Sequence, residues 1–322
     1  MKLSLAALIA GFCIDLIAGD PHSIPHPVIF IGKLISFLEK MLRRVFPQGK
    51  TGERLAGLVL WILVTGISTL VPWTLLKLAG MIHPLAAFAL ESIMCWQILA
   101  TKSLKDESMK VYKALCTGDL EASRYAVSMI VGRDVARLDD SGVTRAAVET
   151  VAENTSDGII APMLFLALGG ASAGFFYKAV NTMDSMVGYI DPPYTHLGFV
   201  PAKMDDVMNW IPARLSAFLM LAAGAILGMD AKNGWKIFRR DRFNHASPNS
   251  AQTESVCAGL LQLQLAGDAW YGGVLHKKKF IGDPIRPITH EDIPASCRLL
   301  YGTAILSLLL LAGIKALILF VL

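Results

Sequence analysis

Apolar positions gather in long runs near residues 2 to 18, 55 to 79, 84 to 100, 159 to 180, 210 to 229 and 300 to 322. A bilayer crossing needs roughly 20 apolar residues, so the pattern predicts an all-α polytopic membrane protein with five or six transmembrane or re-entrant helices. The first run is short, contains Asp15 and lacks a small-x-small cleavage site before Asp20; it reads as a retained helix, not a signal peptide. Between the runs the period changes. In 101 to 158, Leu104, Met109, Val111, Tyr112 and Leu115 recur at helical spacing, which predicts amphipathic helices over the membrane face, with a stop and a new cap at Gly118 and Asp119. The segment 181 to 209 is rich in polar side chains and turn formers, and it differs in kind from its surroundings.

Composition supports the membrane reading. Residues are 54% hydrophobic and only 17% charged, against roughly 25% charged in a soluble domain. Lys and Arg number six in loop 19 to 54, eight in loop 101 to 158 and ten in loop 230 to 299. Basic loops stay cytoplasmic, so these three loops are expected on that side. The absence of a repeat or linker predicts one membrane-embedded domain over residues 1 to 322. The net charge of +4 is spread along the loops and argues for topology, with no nucleic-acid partner. Five cysteines, at 13, 95, 116, 257 and 297, form no CxxC pair and read as packing residues.

Three polar clusters stand out from this apolar background. AVETVAENTSDGIIAP sets Glu149, Glu153 and Asp157 four residues apart; on a helix they share a stripe about 80° wide. Asn154 and the cap-forming Thr155, Ser156 and Asp157 ahead of Gly158 predict a helix break there. NTMDSMVGY places Asn181, Asp184 and Ser185 on one face, and AKMDDVMNWIPAR pairs Asp205 and Asp206 ahead of Asn209 and Arg214. Hard oxygen ligands of this kind suit Mg²⁺, commonly held by one or two carboxylates together with substrate phosphates. Ionisable groups at a membrane are costly, so three such clusters point to a shared polar site. Two loops add candidates: GDPHSIPHPV, with Asp20, His22 and His26, and NHASPNSAQTE, with His245, Ser247, Asn249 and Glu254. The second also reads simply as a capped helix start. QGKT at 48 to 51 lacks the leading glycine of a phosphate-binding loop, and no HExxH, GxSxG or GxGxxG occurs, so a nucleotide would not be bound through a common motif.

GDPHSIPHPVIFIGKLI, VETVAENTSDGIIAP, YKAVNTMDSMVGY, AKMDDVMNWIPARL and SPNSAQTE together closely resemble the cobinamide-phosphate synthase family of cobalamin biosynthesis, CbiB/CobD. The matches run in order from about residue 16 to 284. The resemblance implies a multi-pass inner-membrane ligase, its active site facing the cytoplasm, that joins adenosylcobyric acid to aminopropanol or its O-phosphate. ATP would be the cosubstrate and Mg²⁺ the cofactor. Carried over to this chain, the resemblance makes Glu149, Glu153, Asp184 and His26 the catalytic candidates. Asn154, Asn181, Ser185, Lys203, Asn209, Arg214, Asn249 and Glu254 become substrate-binding candidates, and Glu153, Asp157, Asp184, Asp205 and Asp206 metal ligands. Later membrane enzymes of cobalamin assembly are expected partners alongside the lipid bilayer. Lys203 stands where the family usually has Arg, and Ala266 where it usually has Gly.

Six full crossings would put NTMDSM opposite ETVAEN. GGASAG at 169 to 174 therefore predicts a bend that returns 159 to 180 as a re-entrant hairpin, which is tolerated where protein or a water-filled cavity surrounds it. A transporter would also carry acids at helix ends between spans, but the sequence shows no repeated pair of broken helices. A non-catalytic membrane signalling protein of related fold is the third reading, against which the retained acids argue.

Overall fold

A computed structural model describes residues 2–21, 23–189 and 191–321. His22, one of the loop candidates, lies outside the described residues. Thirteen helices are present among them, with two short two-stranded sheets. Packing divides the chain into two units that interleave in sequence, one of residues up to 100, 161–209 and 310 onward, the other of 101–160 and 210–309.

The first unit holds α1 (Lys2–Ala18), α2 (Pro27–Val45), α3 (Lys50–Ile82), α4 (Pro84–Ile98), α8 (Ala161–Val187) and α9 (Phe199–Met208). Its entry turns are set by histidine and proline. The Nδ1 atoms of His26 and His83 accept from the N–H groups of Val28 and Leu85, at 3.2 and 3.1 Å, and a proline occupies the first helical position after each, where its missing N–H costs nothing. Helix α1 lies close on α4 because Gly11 has no side chain: a Cβ there would stand 2.5 Å from that of Cys95.

Helix α8 is two helices. Gly169 and Gly170 leave helical geometry, Gly170 at φ 66° and ψ −163°, a conformation open essentially to glycine alone. The chain then doubles back. The Phe165 ring stacks on Tyr177 with centroids 5.0 Å apart, whereas twelve residues of straight helix would separate them by about 18 Å. Glu91 of α4 sits at the bend. Its Oε1 accepts from Ser4 Oγ at 2.9 Å and from the Ala171 N–H at 3.4 Å, so a carboxylate caps the returning arm, where a helix N-terminus favours negative charge.

The second unit holds α5 (Thr101–Cys116), α6 (Leu120–Ser128), α7 (Asp140–Thr155), α10 (Trp210–Ile226), α11 (Ala231–Asp241), α12 (Ser250–Leu261) and most of α13 (Asp292–Val321). The predicted cap is in place: Asp119 accepts from the Ala122 N–H at 2.9 Å. All of α12 is buried, polar residues included, with α7, α10 and α11 packed around it. Between α12 and α13, β1 (Leu265–Ala266) pairs antiparallel with β4 (Phe280–Ile281), and β2 (Ala269–Tyr271) with β3 (Val274–His276).

Four helical stretches are long and apolar enough to cross a membrane, Lys50–Ile82, Pro84–Cys116, Asp140–Val187 and Asp292–Val321, or five if the α9 and α10 pair, bent by 44°, forms one span. The chain is thus a nearly all-α, multi-pass membrane protein. Sequence expectation is corrected in three places. The segment from Ser156 to Ile160 is a π-helical turn that continues into α8, not a break. Residues 181–187 and 199–208 are helical, which confines the irregular connection to the residues between them. Of the cysteines, Cys95, Cys257 and Cys297 are buried packing residues but Cys13 and Cys116 are exposed.

Candidate functional site

Asp139 begins α7 by accepting from the Gly142 N–H at 2.7 Å. Two turns later the helix presents Glu149, Thr150, Glu153 and Asn154 to a cavity of about 160 Å³ inside the second unit. The other walls come from Ile130 to Arg133 before α7, from His245 and Glu254 at the start of α12, and from Ala266, Gly267, Tyr271 and Lys278 of the strand segment.

The glutamates differ in their hydrogen-bond partners. Glu149 is saturated: one oxygen pairs with Arg133 Nη2 and the other accepts from the Ala266 N–H at 2.6 Å. Burial works against the Arg133 charge, but the Glu149 carboxylate outweighs it. Glu153 accepts from Ser250 Oγ at 2.7 Å. Glu254 is 5% exposed, and its Oε2 has no hydrogen-bond partner. Burial, reinforced by the nearby charges of Glu153 and Glu149, pushes its carboxyl well above the usual carboxylate range, against the weaker pull of Lys278 and Arg133. Like charges sharing a buried site oppose one another's ionisation, so burial and the neighbouring carboxylates both disfavour the charged form of Glu254.

His245 is held below its ordinary value, chiefly by burial. Its Nδ1 accepts from the Ser247 N–H at 3.1 Å, so the neutral ring carries its proton on Nε2. Lys278 Nζ donates to the Tyr271 hydroxyl at 2.7 Å. The cavity therefore gathers Glu149, Glu153 and Glu254 with Arg133, Lys278 and His245 around one space.

Of the sequence candidates, Glu149, Glu153, Asn154 and Glu254 share this cavity. Asp157 falls on the π-helical turn and does not line it, so the expected stripe of three carboxylates contributes two. Asn249 is not a side-chain cap; its Oδ1 accepts from Arg214 Nη1 at 3.2 Å, and Arg214 also donates to the Trp210 carbonyl at 2.7 Å. The remaining candidates belong to the first unit. Asn209 donates to Asp205 at 2.9 Å and accepts from Tyr177 at 2.7 Å, and Lys203 pairs with Asp206 at 2.9 Å. Ser185 donates to the Asn181 carbonyl at 3.0 Å, one turn around from Asp184 on the returning arm. His26 Nε2 faces Asp20 at 3.7 Å while its Nδ1 serves as the α2 cap.

Among the described residues, no three His, Cys, Asp or Glu side chains stand together as a set that could hold a metal ion. The acids fit Mg²⁺ only in company with a phosphorylated substrate supplying the remaining oxygens.

Arg133, Tyr271, Lys278 and the Ala266 N–H are absent from the sequence candidates. One signal was available. AWY and VLH flank Gly272-Gly273, a two-residue hairpin signature, and both glycines adopt positive φ, 55° and 78°. Arg133 carries no local signal, because its partner lies 16 residues away.

The model of the CobD/Cbib protein family matches residues 8–300. A cobalamin biosynthesis protein CobD of Geobacter metallireducens is 46% identical over 307 residues, 95% of each chain. CobD of Clostridium perfringens is 45% identical over 286 residues, covering 89% of this chain and 90% of its own. A cobalamin biosynthesis protein CbiB of Salmonella typhimurium is 44% identical over 316 residues, covering 97% and 98%. No solved structure matches the chain significantly.

Proposed function

The chain belongs to the CobD/CbiB family, and from that premise we propose that it acts in cobalamin biosynthesis as an amide ligase. It joins aminopropanol or its O-phosphate to the free carboxylate of adenosylcobyric acid, giving adenosylcobinamide or its phosphate. A carboxylate is a poor acyl donor, so ATP first converts it to an acyl phosphate. Mg²⁺ enters with the nucleotide and neutralises its phosphates.

The observation that carries this reading is the buried Glu254, its Oε2 without a hydrogen-bond partner, beside Glu149 and Glu153 in a cavity that also presents Arg133 and Lys278. Amide formation from an ammonium needs a carboxylate to take a proton from nitrogen. It also needs fixed cations near the leaving phosphate and shelter of the acyl phosphate from water. The cavity offers the carboxylates and the cations. Glu153 is the catalytic carboxylate in this scheme, Glu149 positions Arg133, and Asn154 and Glu254 contact substrate. Asn249 and Arg214, joined by their hydrogen bond, are further contacts for corrinoid amides and phosphate. Asp184, Asp205 and Asp206 are the acids assigned to Mg-ATP in this scheme, and the basic loops orient the protein in the inner membrane with its polar groups toward the cytoplasm. Later membrane enzymes of cobalamin assembly are the partners proposed for it.

The test is the reaction itself: purified chain in detergent with adenosylcobyric acid, aminopropanol phosphate and Mg-ATP, product followed by mass. Amide and ADP are expected in equal amounts. Failure under conditions where the Salmonella relative makes product overturns the ligase reading.

A further inference from the structure

Both cations of the cavity are engaged, Arg133 with Glu149 and Lys278 with the Tyr271 hydroxyl. A second cationic centre in the same unit is not. Arg214 of α10 and Arg242, the residue that closes α11, lie near enough for the charge of one to oppose that of the other. Among the described residues no carboxylate pairs with either. Two like charges without an acid to offset them repel, so their placement together needs a reason.

Aromatic rings and the first turn of α12 hold the pair in place. The Arg242 guanidinium lies over the rings of Phe238 and Phe243, at 5.2 and 4.7 Å from their centroids, and that of Arg214 over Trp210 at 4.3 Å. A ring under a guanidinium occupies its face and leaves the N–H groups of its edge to other acceptors. Arg214 is tied to the α12 start through Asn249, and Arg242 through its carbonyl, which accepts from Gln252 Nε2 at 3.1 Å. Arg214 spends only Nη1 on protein acceptors. Arg242 spends nothing: its Nε is buried without a hydrogen-bond partner. The beginning of α12, which no side chain caps, adds the positive end of the helix dipole.

On the ligase reading, on which this inference rests, the chemistry of the missing partner follows from charge and donor count. A carboxylate carries one charge and is satisfied by a single guanidinium fork. A terminal phosphoryl group carries about two negative charges at neutral pH and several acceptor oxygens, which matches a pair of forks. We propose that Arg242 and Arg214 form a two-guanidinium clamp for a phosphoryl dianion, with Arg242 as a substrate-binding residue for the ligation. Its source is the nucleotide or the phosphorylated amine. Trp210 and Phe243 remain 54% and 62% exposed, and open ring surface of this kind suits a stacked base, which favours the nucleotide. The chain from His245 through Ser247 to Asn249, hydrogen-bonded at 3.1 and 3.2 Å, links the clamp to the wall of the glutamate cavity.

Titration calorimetry of the full chain in detergent reads the clamp directly, with Mg-ATP, aminopropanol O-phosphate and, as the phosphate-free comparison, aminopropanol. Arg242→Gln should weaken binding of at least one phosphorylated probe tenfold or more and leave aminopropanol unchanged. Arg242→Lys, which keeps the charge but not the fork, should weaken it at least threefold and serves if Arg242→Gln does not fold. Arg239→Gln, which removes the same charge from the exposed face of α11, should change each Kd by less than twofold. A larger loss for Mg-ATP assigns the clamp to the nucleotide, and a larger loss for aminopropanol O-phosphate assigns it to the amine. Unchanged binding of both phosphorylated probes in the Arg242 variants, or an equal loss in Arg239→Gln, overturns the proposal. Amide synthesis by Arg242→Gln with unaltered KM for ATP and for the phosphorylated amine removes the clamp and keeps the ligase. Phosphate binding that depends on Arg242 without amide product removes the ligase and keeps the clamp.

Discussion

Arg133 and Glu149 form a nearly buried ion pair, with side chains 15% and 10% exposed. Removing one partner leaves the other charge buried, at a cost of about 3 kcal/mol. Arg133→Met is therefore expected to lower the denaturant midpoint strongly. Arg133→Met with Glu149→Gln should lose less than the two single variants summed, as a double-mutant cycle will show. Ala266 stands at φ 59°, where a side chain costs about 1–2 kcal/mol. Ala266→Gly is expected to stabilise the fold by about 1 kcal/mol, read as a raised melting temperature. Glu254 contributes a pH dependence of definite sign. Its folded-state pKa is raised, so above the ordinary carboxyl range the unfolded chain releases a proton that the native chain keeps, and stability falls as pH rises. The melting temperature of Glu254→Gln relative to wild type should therefore be higher at pH 8 than at pH 5.

At the scale of elements, the hairpin of α8 rests on Gly170. Any Cβ there meets positive φ, 66°, and stands 2.5 Å from Glu91 Oε1. Gly170→Ala should cost roughly 2 kcal/mol or more from the backbone alone and expose the bend to limited proteolysis. The GGASAG pattern predicted a bend at this place, because glycine pairs permit what other residues forbid. Its partner Glu91 was not legible, being a single acid in an apolar run until the fold brought it to the Ala171 N–H. The π-helical turn of Ser156–Ile160 was misread as a break for a related reason. Cap-forming residues favour a helix end locally, but a following apolar stretch with a place to pack overrides that preference.

At the scale of the molecule, the apolar part of the helix before the bend, 159–168, covers about 15 Å, half of the roughly 30 Å hydrocarbon core. On that length the segment is expected to return on the side it enters. A reporter fused at residue 195 is expected to read cytoplasmic, like fusions in loop 101–158; a periplasmic signal at 195 overturns the re-entrant topology. What the sequence by itself determined is the class and the family: long apolar runs admit no other solvent than lipid, because backbone and side chains there can be satisfied only by helices in a bilayer, and the ordered polar motifs name the lineage. Only the tertiary structure decided which acids work together. Glu149, Glu153 and Glu254 converge through contacts between α7, α12 and a hairpin more than a hundred residues on, and the Glu254 carboxyl is pushed above its usual range because burial and two neighbouring carboxylates act on it at once. Periodicity records which face a residue takes within its own element; it holds no record of what another element brings to that face.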